Sequence, residues 1–168
     1  MHVIRSGIDA VLKTVSIVLF AALVLVVVWQ VASRNLLAAP ATWTEEAARY
    51  LFVWVAMVAA ALVFGERGHI AVDLLIRKLP QRAAKWMAVG IEGVVIFFAA
   101  TALLWGGTRV VAGAWNQGLV ALPFTVGQMY LVMPIIGALI IVYSLFTVID
   151  VIRGRAPAFV SHEDAEAI

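Results

Sequence analysis

"TVSIVLFAALVLVVVWQVASRNLL" occupies residues 14–37 and carries no charged side chain before Arg34. A helix needs roughly 20 apolar residues to cross the hydrocarbon of a bilayer, and this run is long enough. Three further segments meet the same requirement. They are about 43–65, ending "VWVAMVAAALVFG", about 84–112, containing "GVVIFFAATALLWGG", and about 127–152, "GQMYLVMPIIGALIIVYSLFTVIDVI". The first run exceeds the ~7–15 apolar residues of a signal peptide. "SRN" also separates it from the small-residue site "AAPA", so it is expected to remain as a span.

Composition agrees. Of 168 residues, 64% are apolar and 13% charged, where a soluble domain carries about 25% charged. Mean hydropathy is +1.04. The expected fold is an all-α integral membrane protein, residues 1–168 forming a single four-helix domain.

Several function classes are excluded. With no cysteine there is no disulfide exchange, thiolate metal site or Cys nucleophile. His2, His69 and His162 all lie outside the apolar runs, where a haem-holding bundle needs its ligands inside them. No phosphate loop, metal-ligand cluster or Ser/His/Asp arrangement stands out. Neither an enzyme nor a cofactor, metal or nucleic-acid partner is expected. A substrate carrier often shows matched interruptions in two spans. Here Pro134 interrupts span four without a counterpart.

Lys and Arg set orientation. Arg5, Lys13, Arg67, Arg77, Lys78, Arg82, Lys85, Arg153 and Arg155 fall on one side, against Arg34, Arg49 and Arg109 at span ends on the other. Both termini and the middle loop are therefore expected in the cytoplasm. Trp43, Trp86, Trp105 and Trp115 suit the interfacial belts. Val72, Leu75, Ile76 and Leu79 follow an i, i+3, i+4, i+7 pattern closed by Pro80, which predicts an amphipathic helix over 70–79 lying on membrane lipid. Arg5, Asp9 and Lys13 share one stripe, and residues 3–13 are either a second surface helix or a plain basic segment.

The charges near and within the spans need reasons. Thr42 and Glu45 have capping-box spacing, with Thr42 as the helix cap. Glu46 and Arg49, three apart, can pair, and Arg34 lies at a similar depth. The three either clip span one to span two or face a partner subunit. Glu92 lies inside the third apolar run, where three readings stand open: a neutral group bonded within the bundle, the partner of a cation from another subunit, or a proton-transport site. Arg109 is placed to snorkel. Ala56 with Ala60, Gly90 with Gly93, and Gly137 with Ala138 mark places where helices approach closely.

Residues 33–80 resemble the small membrane subunit of the tripartite ATP-independent periplasmic (TRAP) transporters, the DctQ-like family. The features that carry the resemblance are Arg34, Trp43, Glu45, Glu46, Arg49, Phe52-Val53-Trp54, His69-Ile70, Asp73 and Leu79-Pro80. Residues 122–139, with Pro123, Tyr130, Pro134 and Gly137, are similar to the family's entry to span four. Phe124-Thr125 departs from it where a Trp is expected nearby. The resemblance implies a bacterial inner-membrane subunit that scaffolds a large, sodium-coupled, elevator-type membrane subunit importing organic carboxylates. It also implies a role in docking the periplasmic substrate-binding protein. Arg34, Glu45, Glu46, Arg49, His69, Asp73 and Glu92 then become structural or partner-facing. The alternative from the residues alone is a homodimeric, proton-coupled small exporter using Glu92.

Overall fold

Hydrocarbon offers a backbone no hydrogen bonds, so a spanning segment must pair its N–H and C=O groups internally, as a helix does. That constraint overrides the strand preference of a run such as Val26-Val27-Val28. The computed structural model describes residues 2–36, 41–65 and 80–153. Within them, four helices are long and apolar enough to cross a membrane. The proposed surface helix 70–79, with His69 and Asp73, lies outside the described residues.

Span one is α1 (His2–Leu36) and span two is α2 (Thr42–Gly65). Span three begins as α3 (Gln81–Phe98), widens into a π-helical segment (Ala99–Gly106) and ends as α4 (Gly107–Ala114). Span four comprises a short α5 (Val126–Tyr130) and a long α6 (Val132–Ile152). Residues 3–13 are not a separate surface helix, because α1 runs unbroken through them. Its 35 residues extend about 52 Å at 1.5 Å per residue, well beyond a ~30 Å hydrocarbon core.

The helices pack principally as a row: α1 on α2, α2 on α6, and α6 on α3 and the π segment. Span four is the inner member. In its most apolar window 39% of residues are buried within the chain, against 6%, 11% and 6% for spans one to three. Tyr143, Ile136 and Val132 of α6 form the centre, joined by Val58 and Ala61 of α2, Leu12 of α1 and Ala99. Large apolar side chains elsewhere face outward, among them Val18, Phe20 and Leu25 on α1, and Phe97, Phe98 and Trp105 on span three.

Two sequence features shape span four. Proline supplies no N–H to the carbonyl four residues earlier and its ring crowds that carbonyl. For Pro134 that residue is Tyr130, and the helix breaks between Tyr130 and Val132. The Met129 carbonyl at this break accepts the Trp54 indole N–H at 2.9 Å. The second feature is Gly137. A Cβ there would lie 2.8 Å from the Leu103 Cβ and 3.0 Å from the Leu104 backbone nitrogen. Only glycine lets α6 cross the π segment this closely. Gly90 and Gly93, by contrast, have nothing within 4 Å of a Cβ position.

Gly137→Ala is expected to lower the stability of the isolated chain by about 1–3 kcal/mol, the usual cost of overpacking. Gly90→Ala should be neutral or slightly stabilising, since alanine favours a helix by up to about 1 kcal/mol over glycine. Thermal unfolding in mild detergent reads both, and equal effects would contradict the close crossing.

Candidate functional site: a braced loop and an unpaired carboxylate

At the end of the row away from α1's start, Trp115 follows α4 and the chain folds back as a narrow loop. Gln117 N–H bonds to the Ala114 carbonyl at 3.1 Å, Leu119 N–H to Phe124 O at 3.0 Å, and Val126 N–H to Gln117 O at 2.8 Å. Gly118 and Thr125 form an antiparallel bridge. Thr125 then caps α5 in a complete capping box with Gln128. A Cβ on Gly127 would come within 2.7 Å of the Trp115 Cα, so the loop's two ends lie against each other.

Glu46 holds this loop. Its carboxylate accepts from the Val120 N–H at 3.0 Å and the Ala121 N–H at 2.8 Å. These are charge-assisted bonds to two backbone donors that the hairpin itself leaves open. One helical turn below, Tyr50 meets Tyr130 edge-on at 6.3 Å. One turn further, Trp54 makes its bond to Met129. Glu46, Tyr50 and Trp54 follow helical spacing, so one face of α2 grips the loop, α5 and the break in turn. The outcome leaves Val120 97% exposed at the tip.

The expected charge groupings rearrange. Arg49 pairs with Glu45 at 3.4 Å, both side chains being largely exposed, and such a pair contributes little. Arg34 is exposed and forms no ion pair with Glu46 among the described residues. The expected capping box at Thr42 is also corrected. The helix begins at Thr42 itself, Glu45 turns toward Arg49, and Thr44 places its hydroxyl on the Ala41 carbonyl at 2.6 Å. Arg109 lies 4.8 Å over the Trp105 ring.

The opposite end is tied by polar contacts. Arg5 donates to the Gly65 carbonyl and stands 5.9 Å over the Tyr143 ring, while the Tyr143 hydroxyl donates to the Asp9 carboxylate. Lys85 Nζ donates to the Ile152 carbonyl at 2.8 Å, satisfying a helix C-terminus. Arg5, Asp9 and Lys13, read as one stripe, do share one open hollow of about 340 Å³. Glu92, on α3, is half-buried and has no hydrogen bond or ion pair among the described residues.

Sequence reasoning missed the Thr125–Gln128 cap, although T-x-x-Q was there to find. It also missed that Glu46 serves a loop more than 70 residues away, for which a lone sequence carries no signal.

Residues 23–154 match the family described as tripartite ATP-independent periplasmic transporters, DctQ component. The chain is a member of the DctQ family. A relative from Vibrio cholerae, the sialic acid TRAP transporter small permease protein SiaQ, is 24% identical over 153 residues, covering 91% of this chain and 88% of that protein. The isethionate TRAP transporter permease protein DctMQ of Oleidesulfovibrio alaskensis is 35% identical over 66 residues, 39% of this chain and 10% of that protein. The sialic acid TRAP transporter permease protein SiaT of Haemophilus influenzae is 31% identical over 77 residues, 46% of this chain and 12% of that protein. This DctQ member is thus a transporter subunit rather than an enzyme, of the kind that works with a large permease subunit.

Glu46→Ala is expected to speed amide hydrogen exchange at Val120 and Ala121 while leaving Leu119, bonded to Phe124, slow. Unchanged exchange at residues 120 and 121 would show that the loop does not depend on this carboxylate.

Proposed function

We propose that this DctQ member is the fixed accessory subunit of a sodium-coupled TRAP importer of organic carboxylates in a bacterial inner membrane. It packs against the large subunit, which carries the substrate, and helps receive the periplasmic binding protein. The supporting observation is the pair of permease relatives in which a segment like part of this chain makes up only 10–12% of a longer protein. Where a small-subunit-like segment and a larger permease share one polypeptide, they are built to lie together. Sialic acid is a carboxylate and isethionate a sulfonate, so a compact organic anion is the chemistry that the relatives' substrates share.

On this reading the termini face the cytoplasm, as the Lys and Arg distribution favours. The Glu46-braced loop then faces the periplasm, with Val120 at a fixed tip, a suitable surface for the binding protein. Arg34, Glu45, Glu46, Arg49, His69, Asp73 and Glu92 act as structural or partner-facing groups, and the 70–79 segment as a surface anchor. The homodimeric exporter is disfavoured by the family to which the chain belongs.

The test is a mild-detergent pull-down of the tagged chain from its native membrane. An equimolar, much larger polytopic protein is expected, and substrate uptake should fall when either subunit is deleted. Recovery of a homodimer alone would contradict the proposal.

A further inference from the structure

Glu92 lies on the span-three helix nine residues, about 13 Å, from its start at Ala83 and six residues past Trp86 at the span's entry. An ionisable side chain at such depth is costly unless it is paired, neutral or hydrated. Among the described residues it has neither a hydrogen bond nor an ion pair. Lys85, on the same helix, donates to the Ile152 carbonyl, and Arg5, on the far helix of the row, to the Gly65 carbonyl while standing over the Tyr143 ring. Arg34, Arg49 and Arg109 lie at the other end of the row.

The surroundings mark an open margin. Glu92 continues a half-buried line with Ala88 and Val95, and Gly93 beside it is exposed. Gly90 and Gly93 have nothing within 4 Å of a Cβ position, so another backbone has room to come close. Val94, Phe97 and Phe98 carry the exposed apolar surface onward. Lipid tails suit those side chains and do nothing for the carboxylate. A spanning helix that bears Lys or Arg suits both.

We infer that Glu92 is the counter-charge for a basic side chain on a membrane-spanning helix of the large permease subunit, which packs along this margin of span three. The inference rests on the accessory-subunit reading and assigns the face that it uses.

The experiment uses the complete transporter in native membranes. Glu92→Gln and Glu92→Ala are compared with wild type for large subunit recovered per tagged chain, with membrane level and thermal stability of the chain as folding controls. A photo-crosslinking residue is placed at Gly93, which leaves Glu92 intact, and at Val18 for comparison. Truncating one member of a desolvated pair should lower recovery by about tenfold or more. Crosslinks from 93 should reach the large subunit. Neutralising one Lys or Arg of that subunit should reproduce the loss, and Glu92→Lys with the reversed partner should restore recovery. Wild-type recovery in both variants, or crosslinks that reach only lipid or a second copy of this chain, would overturn the inference while the accessory reading stands. If wild type itself recovers no large subunit, both fall.

Discussion

Every backbone N–H and C=O within hydrocarbon must find a partner, and the rest of this structure follows from that demand. Four uninterrupted helices would meet it trivially. Within the described spans the chain departs from regular α-helix in two places. In span four, Pro134 denies a donor to the Tyr130 carbonyl and the helix breaks at Leu131, beside which Trp54 of the neighbouring helix donates its indole N–H to the Met129 carbonyl. In span three the ladder widens from Ala99 to Gly106. There Thr101 and Thr108 turn their hydroxyls back onto the Phe97 and Trp105 carbonyls at 2.7 and 2.8 Å. Gly137 sits against the widened turn, where its missing Cβ makes the crossing possible. The indole bond and the Gly137 crossing each join two helices at an irregularity, while the threonine bonds stay within span three.

The same logic applies at the ends of the row. Where helices stop, carbonyls and amides are left without partners. Lys85 and Arg5 donate to the last carbonyls of neighbouring helices at one end. Glu46 accepts two loop amides at the other. Arg5, Lys85 and Glu46 thus serve backbone groups rather than other charges, while Glu45 and Arg49 pair with each other in the open. Glu92, inside a span, has neither kind of partner among the described residues, and that isolation is what gives it meaning.

The four spans were legible because length and hydropathy are one-dimensional properties, and a membrane helix needs little else. The kink at Pro134 was legible because its cause is local. The π segment was not: no residue from Ala99 to Gly106 forces it, and its geometry matches the approach of Gly137. Arg34, Glu46 and Arg49 stand out in the sequence as charges at span ends. Pairing by helical spacing counts only side chains, while within this chain Glu46 takes two backbone amides. Thr42 failed as a cap for a smaller reason, since the helix starts one residue before the capping-box register requires. Tyr143 and Asp9, 134 residues apart, meet beside Gly65 at the end of α2, a proximity that hydropathy does not report.

The seams of the helix row are held by the Arg5 bond, the Trp54 indole bond, the Glu46 clamp and the Gly137 crossing, and the accessory-subunit proposal requires such a row to hold still while the large subunit moves. Distances within this chain in the working transporter test that directly. The chain has no native cysteine, so spin labels at Val18→Cys and Phe98→Cys report across the row by double electron–electron resonance. A fixed frame requires that distance to stay within about 1 Å, as in pre-organised complexes, whether or not sodium and substrate-loaded binding protein are present. A shift of about 5 Å, the size of a one-turn helix displacement, would contradict a frame and make this subunit a moving part.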